Sequence, residues 1–243
     1  MISVNHQSSI HRVLPKTTLC SVVHPKVGAK ERAAKKKSGP ASRTEVFRIF
    51  GDMEWVLATQ NQNKVKEIKA ALPPDWTVRT AVEAGILEEL PETGATLEEN
   101  AIQKATYLQT CVGGMALSDD SGLEILALNG APGVYSARYA GPQKDDHDNR
   151  LKVLEELAEV QDRRARFKTV LAWATPDGVR TFEGEVWGQI LHEERGQGGF
   201  GYDALFVPDE GDGRTFAEMS LDEKKALSHR SRALAKWRLA LGI

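Results

Sequence analysis

Two adjacent aspartates, Asp119 and Asp120, stand between the apolar triplet 115–117 and the apolar run 123–128, and Ser121 and Gly122 follow them at once. Neighbouring carboxylates repel each other, and burying them without a partner is costly. Asp, Ser and Gly together are ordinary turn chemistry, so a solvated turn is one explanation. The other is a metal or proton-transfer site at the edge of a sheet. A second polar stretch, Thr59-Gln60-Asn61-Gln62-Asn63-Lys64, joins a strand-like segment to a helix-like one. Backbone N–H groups at a helix start attract anions and Lys64 adds a full positive charge, so a phosphate suits this loop. The GxxxxGK[ST] pattern is absent, and plain helix capping by Asn61 explains the loop equally well. If both loops leave neighbouring parallel strands they meet, and carboxylates beside a phosphate call for Mg2+, a hard ion that prefers oxygen ligands. The acidic loop 88–94 either supplies a further carboxylate, Glu92, or is simply solvated.

Two further segments carry groups suited to a ligand. In GQGGFGYDALF (196–206) the glycines allow close backbone approach, and Phe200 and Tyr202 offer flat faces for a base, although glycine-aromatic turns also occur in plain hairpins. In KKALSHR (224–230), Lys224, Ser228 and, less directly, His229 fall on one side of a helix. They suit a phosphate or a carbonyl-bearing base, or form a solvated face.

The elements that must position these residues alternate. EWVLAT (54–59) is a strand, NKVKEIKAAL (63–72) a helix stopped by Pro73-Pro74, and WTVRT (76–80) alternates like a strand. Thr96 and Glu99 form a capping-box signature for a helix whose face carries Ile102, Ala105, Leu108 and Thr106. MAL (115–117) and LEILAL (123–128) are short strands, and DHDNRLKVLEEL is a helix capped by Asp146 or Asp148. ARFKTVLAWAT and VRTFEGEVWGQIL flank Pro176-Asp177-Gly178 as a long hairpin, and ALFVP is one more strand. SLDEKKALSHRSRALAKWRLAL reads as a single long amphipathic helix with a second capping box, Ser220 and Glu223. The sum is a mixed α/β domain in two lobes. Ligands in such sheets sit beyond the carboxyl ends of the strands.

A chain of 243 residues, 41% hydrophobic and 27% charged, fits a globular protein with a sizeable core. A formal charge of −2 argues against a nucleic-acid-binding surface over the whole protein. Cys20 and Cys111 lack metal-ligand spacing, and no apolar stretch has the length of a transmembrane helix, so neither a cysteine-bound metal nor a membrane partner is expected. Residues 1–52 differ from the rest. They are basic, contain AKKKSGP, and lack a sustained apolar period, which reads as a disordered extension ahead of a domain spanning 53–243. Three explanations stand: organellar targeting, a basic arm, or a start at Met53 immediately ahead of the first strand.

The segments VLATQNQNKVKEI, TGATLEENAIQKA, SDDSGLEILALNGAPGVYSARYAG, GGFGYDALF and EKKALSHRSRAL, in this order, resemble the inosine triphosphate pyrophosphatase family over Met53 to Leu241. The resemblance implies a central mixed β-sheet flanked by helices, two lobes with a substrate cleft between them, a homodimer, and a cytoplasmic location. It implies Mg2+-dependent hydrolysis of ITP, dITP and XTP to the monophosphate and pyrophosphate, with ATP and GTP largely excluded. Carried over residue by residue, the substrate loop falls on Thr59, Gln60, Asn61, Gln62, Asn63 and Lys64. The catalytic and metal-binding aspartate is Asp120, with Ser121 a substrate contact; the aromatic loop is Phe200, Gly201, Tyr202 and Asp203; and the last helix contributes Lys224, His229 and Arg230. Lys64 and Mg2+ would neutralise charge on the phosphates, with Glu92 a second metal ligand and Asp119 orienting the segment. Gln60 stands where many members have glycine and Ala204 where many have proline, which bears on substrate preference more than on chemistry. Rival readings are a pyrophosphatase of modified pyrimidine nucleotides and a non-catalytic nucleotide- or RNA-binding protein. The SHR and GGFGYD segments favour the purine group.

Overall fold

The computed structural model describes residues 55–73 and 76–242; the segment 1–52 lies outside the described residues. Strands β1 (Trp55–Ala58), β2 (Val78–Thr80), β3 (Met115–Ile125), β4 (Arg164–Thr175), β5 (Gly178–Ile190) and β6 (Phe206–Pro208) form one sheet in the order β2-β1-β3-β4-β5-β6. β1 pairs in parallel with β2 and β3, and β3 through β6 pair antiparallel, so the sheet is mixed. Among the described residues five helices flank it: α1 (Gln62–Ala71), α2 (Leu97–Val112), α3 (Asp146–Glu156), α4 (Leu221–Leu227) and α5 (His229–Leu241). Both expected capping boxes form, Thr96 with Glu99 and Ser220 with Glu223. The expected hairpin forms as β4 and β5.

One mismatch in strand length creates the cleft. β1 pairs with β3 only from Trp55↔Met115 to Ala58↔Ser118, whereas β3 runs on to Ile125. From Asp119 onward β3 therefore has no strand on its β1 side among the described residues, and the chain leaving β1 turns into α1. The Asp-Asp-Ser-Gly segment is thus not a turn between two strands. It is the middle of an eleven-residue strand, paired throughout with β4. The apolar residues after it leave the strand at Ile125 and form a 3-10 segment, Leu126–Leu128.

Side chains alternate between the faces of a strand. On one face of the sheet, Leu117, Leu171, Trp173 and Phe182 pack with α1 and α5 around Trp55, Trp76 and Trp237. The Trp55 and Trp76 rings stack 4.8 Å apart, and Trp237 meets Trp55 edge-on at 5.4 Å. Further along the same strands a second cluster gathers Leu123, Ile125, Phe167 and Val186 with Tyr202, Phe206 and Phe216. Between the two clusters lies a polar row in register, Ser121↔Thr169↔Gly184, with the Ser121 and Thr169 hydroxyls 2.7 Å apart. On the opposite face α2 covers β3, and Ser118 Oγ donates to the Ala101 carbonyl.

Three local expectations change. The buried face of α2 runs Leu97, Asn100, Ala101, Lys104, Ala105, Leu108 and Cys111, so Ile102 is half-buried and Thr106 exposed. Asp145 caps α3 in place of Asp146 or Asp148, accepting from Asp148 N. The last helix is two helices, because Ser228 is extended (φ −67°, ψ 150°), ends α4, and caps α5 by accepting from Ser231 N. A serine that hydrogen-bonds the backbone ahead of it offers an alternative to the helical ladder.

The start of α5 lies directly against the polar row. A Cβ on Gly184 would collide with the His229 carbonyl and the Ala233 amide, both backbone atoms that cannot swing away. Gly184→Ala is therefore expected to lower unfolding free energy by about 1–3 kcal/mol, the usual cost of overpacking, measured as a fall in urea midpoint with unchanged slope.

Candidate active site

The alternation that orders the core also separates the two aspartates. Asp119 faces α5 and Asp120 faces α2, so the adjacent carboxylates point to opposite sides of the sheet and each meets its own cations. Asp119 is 1% exposed. Its Oδ1 lies 2.5 Å from Lys64 Nζ, its Oδ2 accepts from Arg230 Nε at 2.8 Å, and Ser121 Oγ donates to Oδ1. Burial pushes its carboxyl up, but Arg230 and Lys64 outweigh that and hold it well below the ordinary carboxylate range. Asp120 is held differently. Its Oδ1 accepts from Lys104 Nζ at 2.6 Å, and the same ammonium lies 2.7 Å from Glu92 Oε1 and 3.2 Å from the Asp119 carbonyl. Burial raises the Asp120 carboxyl above its ordinary value, and Lys104 and Lys64 offset this only in part. Burial lowers the Lys104 ammonium, but Asp120 and Glu92 more than compensate and raise it.

Two compartments open at this edge of the sheet. The first, about 310 Å³, is lined by Thr59, Gln60, Asn61, Lys64, Glu92, Lys104, Asp119, Asp120 and Ser121, among others. The second is lined by Phe200, Gly201, Tyr202, Asp203, Lys224, His229 and Arg230 together with Asn61, Lys64, Ser121 and Ala137. Asn61, Lys64, Ser121 and Ala137 line both, so the compartments adjoin. Gln62 and Asn63 line neither; they are exposed on the first turn of α1. Asn61 works here as the helix cap, its Oδ1 accepting from Asn63 N and Lys64 N.

The second compartment differs from its sequence reading in one respect. Phe200 is half-buried at its wall, with Lys224 Nζ 4.8 Å from the ring centroid. Tyr202 is 3% exposed, belongs to the second apolar cluster, and donates its hydroxyl to the Ser136 carbonyl. One flat face is thus presented, with Tyr202 as its backing. Asp203 ties this loop together, accepting from Phe200 N at 2.8 Å and from Lys224 Nζ at 2.7 Å. Gly199 (φ +72°) makes that possible, since a Cβ there would strike the Asp203 carboxylate.

Two residues that the sequence reading passed over complete the site. Lys104 occupies a position where the apolar stripe of α2 calls for a hydrophobe, and that mismatch was its visible signal. Glu67 of α1 pairs with Lys224 Nζ at 3.0 Å and with Arg230 NH1. Burial raises its carboxyl, yet Arg230 and Lys224 prevail and lower it. A chain of alternating charges, Lys64–Asp119–Arg230–Glu67–Lys224–Asp203, therefore runs from one compartment to the other. His229 lies outside that chain. It is 4% exposed and stacks on Phe167 at 4.8 Å, and its Nδ1 has no hydrogen-bond partner among the described residues.

The Ham1 family profile matches residues 55–239, from the start of β1 to within two residues of the end of α5. The chain belongs to the Ham1 family. A dITP/XTP pyrophosphatase of Bacillus subtilis is 50% identical over 187 residues, covering 75% of this chain and 94% of the relative. Its counterpart in Thermus thermophilus is 49% identical, covering 75% of this chain and 88% of the relative. Among solved structures, the Ham1 protein of Staphylococcus aureus superposes with a TM-score of 0.72 at 39% identity, covering 78% of this chain and 98% of that one. The Ham1 fold of the Coxiella burnetii protein matches equally, with a TM-score of 0.72 at 40% identity and the same two coverages, 78% and 98%. No helix among the described residues is long and apolar enough to cross a membrane.

The His229 environment has a consequence for stability. Burial, then Arg230 and Lys224, depress the imidazole well below its ordinary value, so the folded protein holds it neutral. Below the unfolded pKa of about 6.5 the unfolded chain takes up a proton that the folded chain refuses, and stability is lost as pH falls toward the folded value. His229→Gln removes this linkage. Between pH 7.5 and 5.5 the wild type is expected to lose about 1.4 kcal/mol more than the variant, read from urea midpoints at both pH values.

Proposed function

We propose that this protein hydrolyses non-standard purine nucleoside triphosphates, ITP, dITP and XTP, to the monophosphate and pyrophosphate. The observation that carries the reading is the adjoining pair of compartments. One offers carboxylates and ammonium groups for a phosphate chain, the other an aromatic face and polar groups for a base, and Lys64 and Ser121 stand where they meet. The similarity to the dITP/XTP pyrophosphatases of Bacillus subtilis and Thermus thermophilus supports the choice of substrate.

The donor set fits a divalent ion. Asp120 and Glu92 present hard oxygen donors to one point, and a cation, the Lys104 ammonium, already lies between them. Mg2+ is commonly held by one or two carboxylates with substrate phosphates completing the shell. Asp120 and Glu92 would hold the ion, which supplies positive charge to the phosphate oxygens around the scissile anhydride. Asp120 takes the proton from a water that attacks the α-phosphorus. The new bond is water oxygen to α-phosphorus; the bond broken joins α-phosphorus to the oxygen that leaves with pyrophosphate. Lys64 and Lys104 offset the charge that builds on the phosphates, and Lys104 also fixes the Asp120 carboxylate through Oδ1.

At the base end, Arg230 is committed to Asp119, Glu67 and Ser121 and Lys224 to Glu67 and Asp203, which leaves His229 as the side chain to meet a 6-oxo group. Adenine presents an amine there and sets donor against donor, an unpaired contact that costs about 1–3 kcal/mol. A homodimer and a cytoplasmic location belong to the same reading and are supported by the family resemblance.

Asp120→Asn is expected to reduce kcat for ITP at least a hundredfold, on the scale of a lost general base. Pyrophosphate release across ITP, dITP, XTP, GTP, ATP and modified pyrimidine triphosphates, with and without Mg2+, should show at least a hundredfold preference in kcat/KM for the first three over ATP. Equal rates on ATP, a preference for pyrimidines, or tight binding without pyrophosphate release would each overturn the reading.

A further inference from the structure

Two cations at the outer rim of the first compartment have no part in the reaction as described above. Arg138 ends the 3-10 segment Gly133–Arg138, and Lys144 lies in the loop leading to α3. Both line the compartment that holds Asp120 and Lys64. Both also line a further hollow outside it, walled by Glu89, Leu90, Pro91, Glu92 and Pro142. That hollow shares Glu89, Leu90, Glu92, Arg138 and Lys144 with the compartment of Asp120, and shares nothing with the compartment of Phe200 and His229. The three spaces therefore follow one another: base end, Asp120, rim. A nucleotide with its base beside Phe200 and its α-phosphate beside Asp120 must extend its β- and γ-phosphates toward the rim.

Each rim cation is held across the opening by a carboxylate from the loop ahead of α2. Lys144 Nζ lies 2.5 Å from Glu89 Oε1, and Arg138 NH1 lies 3.5 Å from Glu92 Oε2. The first pair is largely in water, with side chains 50% and 78% exposed, and such pairs are weak and exchange partners readily. The guanidinium of Arg138 rests over the Tyr135 ring at 5.4 Å, which limits its reach to the rim. Lys144 has φ +55°, a left-handed backbone that a lysine gains nothing from locally. Such conformations persist where something outside the local chain requires them.

We propose that Arg138 and Lys144 receive the terminal phosphates of the substrate and make the enzyme select triphosphates over shorter chains, Glu89 being the counter-charge that Lys144 exchanges for phosphate. The proposal rests on the pyrophosphatase reading above. A guanidinium matches phosphate oxygens two at a time and an ammonium supplies a compact charge, so the pair suits the most highly charged end of the chain. IMP, which ends at the α-phosphate, does not reach the rim.

The test uses the full chain with Arg138→Gln, Lys144→Gln, the double variant and Glu89→Gln. Each rim substitution is expected to raise KM for ITP roughly tenfold, the usual loss for one charge-assisted contact. The inhibition constant of IMP should stay as in the wild type. Glu89→Gln should move KM the other way, down by about two- to fivefold, since it frees Lys144 and removes a like charge. Inorganic tripolyphosphate should inhibit the wild type more strongly than the double variant. An unchanged KM for ITP in the double variant, or an IMP inhibition constant that rises with it, overturns the proposal, as does a Glu89→Gln variant with raised KM. A wild-type enzyme that releases no pyrophosphate from ITP refutes the parent reading instead; tripolyphosphate binding by calorimetry, wild type against double variant, then decides the rim by itself. Matching melting temperatures exclude a folding effect.

Discussion

The carboxylate of Asp119 holds together three segments that are far apart along the chain. β3 supplies the aspartate, α1 supplies Lys64 and α5 supplies Arg230, all with little or no exposure. An ion pair taken out of water costs much of what its attraction returns, so the pair adds little net stability over a well-packed apolar contact. Its asymmetry matters more. Removing Asp119 leaves Lys64 without its carboxylate and Arg230 with only Glu67, at a cost of about 3–5 kcal/mol, so the arrangement is defined sharply. The helix that follows the polar loop and the helix that carries His229 and Arg230 are thereby located against the same point of the sheet. Lys64, at the junction of the two compartments, and Arg230, in the second, take their positions from that point.

The location is also where apolar packing gives out. Along β3, β4 and β5 one hydrophobic cluster ends near Leu117, Leu171 and Phe182, and the next begins at Leu123, Phe167 and Val186. The row between them is Ser121, Thr169 and Gly184. A small row of this kind leaves room for α5 to bring backbone close to the sheet, and for polar groups to be satisfied by one another. A fully apolar strand would have joined the clusters into one core and closed the cleft. The interruption costs packing and yields a wall of hydrogen-bonding groups between two rigid supports.

Much of this was legible in the residues. Hydrophobic period, both capping boxes and the hairpin turn are local signals, and they located β1, α1, α2, β4, β5 and the start of α4 to within a residue or two. Of the residues carried over by motif order, all but Gln62 and Asn63 line one compartment or the other. What failed depended on distant partners. Asp-Asp-Ser-Gly reads as a turn because nothing nearby neutralises it; it is a strand because Lys104 waits on one face and Lys64 with Arg230 on the other. Continuous periodicity hid the break at Ser228, which exists because its hydroxyl caps the next helix. Lys104 was visible only as a charge out of place in an apolar stripe, and Glu67 gave no local sign of the two cations it meets.

For the proposed triphosphate substrate, charge balance in the first compartment calls for a further cation. The wall of the first compartment carries Lys64, Lys104, Arg138 and Lys144 against Glu89, Glu92, Asp119 and Asp120. Four positive and four negative groups cancel, so the compartment is neutral before any ligand enters. A triphosphate brings several negative charges into a space where two carboxylates already share one ammonium. Charges 4 Å apart interact by about 4 kcal/mol at the effective dielectric of a protein surface, so entry without added positive charge is opposed. Among the described residues no group of three or more His, Cys, Asp or Glu side chains could hold a metal ion by itself. Two carboxylates make a weak site alone and a good one once phosphate oxygens complete it. On the proposed reading, ion and nucleotide would each supply what the other lacks.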